Sequence, residues 1–265
     1  MSNRILRPLP HATTREAHNV LQYPRKYLCR SSTKSTHDNE AVPMKLVHMP
    51  FIFIISLNLG CASVRAGFAQ KPCVMDADHY AQRAAELQAI VKADQDDRSG
   101  SPDSINWMKV GPRDLQRRML VAEIFAEGCF REAQDYTAAA LVFQHGDTAD
   151  HFYQTFIWSK RAVDLGDTKQ RWLMAAGLDR FLIRSGQRQL FATQGGKNPG
   201  SSCWCLEPVE NTFPDTKRTE YTLRTLDQSM IWINSLNAEQ SSCGKSQYCQ
   251  DALRPSPAGT VPGFW

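Results

Sequence analysis

The sequence predicts an all-α protein of stacked antiparallel helical hairpins, and three observations carry that prediction. Apolar residues recur at three- and four-residue spacing along much of 76–237, and no segment shows the alternation typical of a β-strand. Four glycines, Gly128, Gly146, Gly166 and Gly186, each follow a helical pattern and stand 18, 20 and 20 residues apart. Glycine commonly ends a helix in the left-handed conformation, and tight turns of this kind make successive helices antiparallel.

Five predicted helices precede a loop. They cover residues 76–95, 113–127, 133–145, 149–165 and 168–185. Helices at this spacing give about 40 residues per helical hairpin, which lies in the range of helical-repeat proteins.

Residue types set the ends and the inner face of the first two helices. Asp76 is a residue type that caps helix N-termini. Pro112 suits the start of the second helix, where a missing N–H has no helical partner. The spacing of Leu115, Met119, Ala122 and either Phe125 or Ala126 predicts that this face of the second helix points into the core.

The pattern changes after the fifth helix. Residues 195–214 are rich in glycine, proline and cysteine and are predicted to form a disulfide-tied loop. A last long helix is predicted over about 216–237. Residues 254–265 contain three prolines and are predicted to be a flexible tail. The single helical domain is therefore placed at 70–253.

The first part of the chain carries an export signal. Lys45 precedes a short apolar run at 51–59, and small residues end the segment, as in a secretory signal peptide. The signal peptide is placed at 44–69, with cleavage after Ala69. The alternative is a lipoprotein signal with a lipid anchor at Cys61. The run is too short for a transmembrane span, which needs about 20 residues.

Charge is distributed unevenly along the chain. Residues 1–43 carry seven basic and three acidic side chains, while 70–265 carries 22 basic and 24 acidic ones. A polar extension does not fit in front of a signal peptide, so 1–43 is predicted to be a non-native extension from a misassigned start. The domain itself has no basic excess, which argues against nucleic-acid binding.

Six cysteines follow the proposed cleavage position, and an even number in an exported chain indicates disulfides. They are Cys73, Cys129, Cys203, Cys205, Cys243 and Cys249. The first choice for a pair is Cys243 with Cys249, because the loop between them is short and contains glycine.

The other cysteines leave the pairing open. Cys203 and Cys205 scarcely bridge each other without strain, so each is expected to pair elsewhere. Cys73 and Cys129 are the remaining candidates. No Cys-x-x-Cys pair and no histidine at ligand spacing accompanies these cysteines, so no metal and no cofactor is predicted.

Asp179 and Arg180 are the only charged residues between Trp172 and Ile183. A helix that is apolar nearly all round is buried, and a buried charge needs a partner. Adjacent helical residues point in different directions, so these two are not expected to satisfy each other. They are either halves of internal ion pairs or a ligand-binding pair.

Other polar residues are candidates for the same site. His145 ends the third helix, where the helix dipole favours it; it also titrates near neutral pH and can act as an acid or base. Gln189, Thr193 and Gln194 form a polar turn that either satisfies backbone groups or lines a site.

In order and spacing, several motifs of the sequence resemble those of a bacterial family of domains of unknown function. The motifs are Asp94-Gln95-Asp96-Asp97-Arg98, Gln144-His145, Asp179-Arg180, Gly186-Gln187-Arg188-Gln189, Phe191-Ala192-Thr193-Gln194, Pro208-Val209-Glu210 and Lys217-Arg218. The resemblance spans about 80–238. It departs from the family where Ala192 replaces the usual glycine and where the Cys-rich segment 195–205 looks inserted.

The resemblance implies a fold and a set of polar residues, and it implies no reaction. Ligand-binding candidates on this basis are Asp94, Arg98, Gln144, Gln189, Thr193 and Gln194, beside the possible catalytic residues His145, Asp179 and Arg180.

Two functions stay open. The absence of Gly-x-Ser-x-Gly, His-Glu-x-x-His and phosphate-loop motifs favours a secreted or periplasmic module that binds a protein, a peptide or a small molecule. The alternative is a hydrolase-like enzyme in which His145 is the acid or base, Asp179 orients it, and Arg180 stabilises an anion. With no evident nucleophile, water would attack.

Overall fold

A computed structural model describes residues 72–100, 104–238, 240–245 and 247–264. This part of the chain is mostly helical, as predicted. Its α-helices are Ala77–Asp96 (α1), Trp107–Ala126 (α2), Ala133–Phe143 (α3), Ala149–Asp164 (α4), Arg171–Arg184 (α5), Asp215–Thr222 (α6) and Leu226–Leu236 (α7). The predicted extension, signal peptide and lipid-anchor cysteine, residues 1–43, 44–69 and Cys61, lie outside the described residues.

The helix α2 begins six residues earlier than the sequence predicts. Asn106 caps it, its side chain accepting a hydrogen bond from the Lys109 N–H at 3.3 Å. Pro112 therefore lies inside the helix, where it removes the hydrogen bond to the carbonyl of Met108. Met108 is 87% exposed, so water can replace that bond.

The core-facing side of α2 was also predicted wrongly. Leu115, Met119 and Phe125 are 41%, 65% and 48% exposed. The buried face instead runs through Val110 and Val121 and carries charged residues between them. Ionic partners for Asp114 and Arg117 come from the end of α1 and the two residues that follow it, and they place this face inward.

Glycines end the helices for two different reasons. Gly128, Gly166 and Gly186 have φ values of +73°, +104° and +74°, the left-handed conformation that favours glycine. Gly146 needs no such angle; a β-carbon there would collide with the side chain of His151. The predicted helix ends are thus confirmed, and Gly146 is set by close packing.

The predicted last helix is two helices. Leu223 adopts φ +59° and ends α6. Thr225 then starts α7 with a capping box, in which its hydroxyl accepts from the Gln228 N–H at 3.2 Å and the Gln228 side chain accepts from the Thr225 N–H at 2.8 Å. This second start signal overrides the continuous apolar spacing.

The loop before α6 contains a short antiparallel sheet that was not predicted. Strand β1, Gly195–Lys197, pairs with β2, Trp204–Leu206. Strands of three residues are too short to show an alternating pattern. The chain at Gln247 and Cys249 pairs with Leu206 on the other side through backbone hydrogen bonds of 3.1 and 2.8 Å.

This strand pairing decides the disulfides. Cys205 bonds to Cys249 and Cys203 to Cys243, so the predicted pair Cys243–Cys249 is wrong. Pairing beside β2 brings Cys249 to Cys205, whereas closeness in sequence does not. Cys203 and Cys205 each pair elsewhere, as expected.

Cys73 and Cys129, which the sequence left as candidates without a stated pairing, bond to each other in the structure. The bond ties the segment before α1 to the segment after α2. Both cysteines are buried, at 0% and 1% exposure.

The segment predicted as a flexible tail packs against the domain. Val261 and Phe264 are 8% and 5% exposed and join the apolar cluster that contains Phe156 and Phe191. Ser256 donates its backbone N–H to Glu210 at 2.9 Å. The apolar residues near the end of the chain therefore extend the core beyond residue 253.

The described residues have no helix with the length and apolarity that a membrane crossing needs.

Candidate functional site

The structure divides the predicted site residues between two clusters. The Asp179 anchor consists of Asp179 and the turn 186–194, which it holds. The His145 cluster consists of Asp94, Arg98, Gln144, His145 and Arg180. Gln194 belongs to the turn and touches both clusters.

Asp179 is a fully buried hydrogen-bond acceptor. One carboxylate oxygen accepts from the backbone N–H groups of Leu190 and Phe191 at 2.9 and 3.0 Å. The other accepts from the N–H and hydroxyl of Thr193 at 3.0 and 2.7 Å. Burial raises the pKa of Asp179, and these hydrogen bonds oppose the rise. All the bonds serve the turn, so Asp179 does not orient His145, contrary to prediction.

Gln189 also holds the turn together. Its amide nitrogen donates to the carbonyl oxygens of Gln194 and Glu207 at 2.9 and 2.7 Å, and its amide oxygen accepts from the Gln194 N–H at 2.9 Å. Gln189 is 0% exposed. Of the two readings left open for Gln189 and Thr193, these contacts match the satisfaction of backbone groups.

His145 is oriented by Asp94. Its Nδ1 lies 2.9 Å from the nearer Asp94 oxygen, and the two side chains are 6% and 1% exposed. Burial lowers the pKa of His145, so the ring is neutral at pH 7. A carboxylate only accepts hydrogen bonds, so Nδ1 carries the proton and Nε2 keeps a free lone pair. Within the described chain, no hydrogen-bond partner meets Nε2.

A buried ionic network supports Asp94. Arg98 donates to Asp94 at 3.0 Å and to Asp114, and Arg117 donates to Asp114 at 3.0 Å and to Asp97. Sequence reasoning missed Asp114 and Arg117, which are 6% and 8% exposed. Their i, i+4 and i+7 spacing from Val110 was the available signal for a buried stripe.

Arg180 is partly exposed, and its environment differs from that of the buried arginines. It donates to the Gln194 side-chain oxygen at 2.9 Å and to the Gln144 carbonyl at 2.5 Å, and it lies 5.8 Å from the Phe152 ring centre. Within the described part of the chain, no carboxylate pairs with it. Burial, together with the positive charges of Arg184 and Arg98, lowers the pKa of Arg180 to about 10.

Unpaired donors accompany this cation. The Gln144 side-chain nitrogen and the Nε atoms of Arg98 and Arg118 are buried without a hydrogen-bond partner. Gln144 itself is 3% exposed. Buried donors without partners are costly.

Two cavities of about 320 and 140 Å³ lie elsewhere in the molecule. Arg188, Val209 and Tyr248 line the larger one, and Lys160 and Tyr221 line the smaller. Neither of these two cavities is lined by residues of the His145 cluster.

The chain matches no protein-family model, and no significant match was found among curated proteins or solved structures. The resemblance to the bacterial family therefore stays a prediction from the motifs.

Proposed function

We propose that this is an exported helical protein, secreted or periplasmic, that binds a small ligand through an anionic group at the His145 cluster. Three disulfides within the described residues support export. The contacts of α4 with both α3 and α5 support the predicted stack of helical hairpins, joined by the turns at Gly146 and Gly166.

One observation carries the binding proposal: the guanidinium of Arg180 meets only neutral oxygens. A charge taken out of water without a counter-charge is unfavourable. A carboxylate or phosphate group restores the balance. Arginine suits both groups because its planar donors match two oxygens at once.

Isothermal titration of the full chain with inorganic phosphate, phenyl phosphate and acetate tests the proposal. Arg180→Met removes the charge and keeps much of the apolar stem, and Arg184→Met removes an exposed neighbouring charge as the control. We expect Arg180→Met to weaken the tightest of these complexes by at least about 10-fold, the loss of one charged hydrogen bond. Absent binding to the wild type, or equal binding by Arg180→Met, contradicts the proposal.

The Asp94–His145 contact favours hydrolysis of such a ligand as a second candidate function. The hydrogen bond at Nδ1 fixes the ring so that Nε2 can take a proton from an attacking water. Arg180 would stabilise the charge that develops on the substrate. Asp94 thus takes the orienting role that the sequence assigned to Asp179.

Release of 4-nitrophenol from its phosphate and acetate esters tests this second candidate. We expect His145→Gln to lower the rate by about 100-fold, the lower range for general acid–base catalysis. His151→Gln is the matched control, because that histidine lies on α4 with Asp147 as its partner. Equal rates for His145→Gln and the wild type, or a wild-type rate equal to that of buffer, rule out the candidate.

A further inference from the structure

The Cys73–Cys129 disulfide has metal-ligating side chains on both sides. His79 and Glu127 lie beside it, and the ligand atoms of all four residues fall within 4.8 Å of one another. Two cysteines, a histidine and a carboxylate are the usual donors for zinc. Motif spacing does not indicate this set, because its members are spread over 57 positions and form no Cys-x-x-Cys motif.

We propose that reduction of the Cys73–Cys129 disulfide converts this cluster into a four-coordinate site for Zn²⁺. One molecule of an external dithiol reduces the disulfide. It transfers two electrons and two protons, which gives two cysteine thiols, and is itself oxidised to a disulfide. Zn²⁺ then replaces the two thiol protons, which are released to water. The products are the zinc-bound dithiolate and two protons.

The distances suit tetrahedral coordination. Bonds of about 2.0 to 2.3 Å to zinc put ligand atoms roughly 3.3 to 3.8 Å apart. The His79 Nε2 lies 3.1 Å from a Glu127 oxygen, and the Cys129 sulfur lies 3.8 Å from the same oxygen. Only the two sulfurs must separate, and breaking their bond permits that.

The local charges also suit a zinc ion. Two thiolates and Glu127 carry three negative charges, so a bound Zn²⁺ leaves one negative charge. Arg83 donates to both Glu127 oxygens, one of these bonds being 2.7 Å long, and shares its positive charge with Glu86 at 2.6 Å. A ligating carboxylate that is itself hydrogen-bonded is held in position for the metal.

The disulfide itself is buried, but the residues that follow Cys73 are exposed. Val74 and Met75 are 73% and 79% exposed. The Cys73 N–H donates to the Glu127 carbonyl at 3.2 Å. Either the disulfide or the metal therefore joins the start of α1 to the end of α2, and the redox state selects between them.

Cobalt titration of the full chain tests the proposal, with Cys29→Ser and Cys61→Ser in every sample. The protein is reduced with a phosphine, the reductant is removed, and the thiolate-to-Co²⁺ charge-transfer absorption is recorded. A Cys73→Ser, Cys129→Ser variant is the control, because it keeps the four other cysteines that reduction also frees. We expect one equivalent of Co²⁺ more in the native-cysteine protein than in this control, displaced by Zn²⁺, and none in the oxidised protein.

The His79→Ala variant keeps every cysteine and decides the case if the double-serine control unfolds. We expect it to raise the Kd for Co²⁺ at least about 10-fold and to change the cobalt spectrum, since losing even an outer-shell partner costs that much. His151→Ala is its control. Unchanged affinity and spectrum in His79→Ala, or equal absorption in the double-serine variant, overturns the proposal.

Discussion

Asp179 and Arg180 are adjacent on α5, yet their surroundings differ in kind. The Asp179 carboxylate has four donors, all from the turn that it anchors. The Arg180 guanidinium has two neutral acceptors and no acidic partner in the described chain. A buried carboxylate that already accepts four hydrogen bonds has no free acceptor for a ligand. A cation without an acidic partner can still bind an anion. Neighbouring residues of one motif can therefore serve folding and binding separately.

The largest expected effect comes from removing the anchor. Asp179→Ala leaves three backbone N–H groups and the Thr193 hydroxyl without their acceptor. At about 1 to 3 kcal/mol for each buried unpaired donor, partly relieved by entering water, the free energy of unfolding should fall by about 4 kcal/mol. Urea unfolding measures the loss. A loss below about 1 kcal/mol would show that the anchor does not hold the turn.

The second-largest loss of stability is expected at Ala192, in the same turn. Ala192 is fully buried with φ +56°, a backbone conformation that favours glycine. Ala192→Val adds branched bulk at this angle and should lower the unfolding free energy by about 3 kcal/mol.

The matched substitution Ala192→Gly relieves the backbone angle but loses a buried methyl group. Its unfolding free energy should stay within about 1 kcal/mol of the wild type, because the two terms oppose each other. A valine variant as stable as the glycine variant would mean that this turn tolerates change. The turn would then be a weaker folding element than its hydrogen bonds indicate.

In contrast to Asp179, Arg180 is expected to contribute little to the free energy of unfolding. Arg180→Met should change the unfolding free energy by less than about 1 kcal/mol, because Arg180 is partly exposed and its removal leaves no buried carboxylate of the described residues without a partner. The same urea series measures it. A loss comparable with that of Asp179→Ala would make Arg180 a folding residue and remove the contrast between the two positions.

The smallest effect is the pH dependence set by His145. The pKa of His145 in the folded protein lies below the ordinary value of 6.5. Below pH 6.5, His145 is therefore protonated to a greater extent in the unfolded chain than in the folded protein. Wild-type stability should therefore fall as the pH drops from 7.5 to 5.5. His145→Gln should reduce that fall, because the substituted side chain takes up no proton in either state.

His151→Gln is the control for this pH series. Burial, together with the charge of Arg118, lowers the pKa of His151 too, but its side chain is 26% exposed against 6% for His145. We expect its effect to be smaller. An unchanged slope in His145→Gln would show that the ring is not held neutral by its surroundings.

Local signals predicted the helices well and the tertiary arrangement poorly. Asp76, Gly128, Gly166 and Gly186 mark helix ends through backbone chemistry within a few residues. The inner face of α2 could not be read from apolarity, because ion pairs with α1 bury charged positions and leave Leu115 exposed.

The same limit applies to the site. His145 and Arg180 were recognised as candidates, but the partner of His145 is Asp94, 51 residues away. Such a contact depends on how α1 packs beside α3, and no spacing rule contains that information. The pairing of Cys205 with Cys249 likewise depends on a strand contact that short segments do not reveal.

The different roles of Asp179 in folding and Arg180 in binding can be measured directly through the effect of phosphate on the free energy of unfolding. The unfolding free energy of the wild type, Asp179→Ala and Arg180→Met is determined with and without inorganic phosphate, since a ligand stabilises the state it binds. We predict that Asp179→Ala lowers the unfolding free energy measured without phosphate but is still stabilised by phosphate. Arg180→Met should keep the unfolding free energy measured without phosphate and lose the stabilisation by phosphate. Equal stabilisation by phosphate in Arg180→Met and the wild type, or no stabilisation in the wild type, would contradict the account.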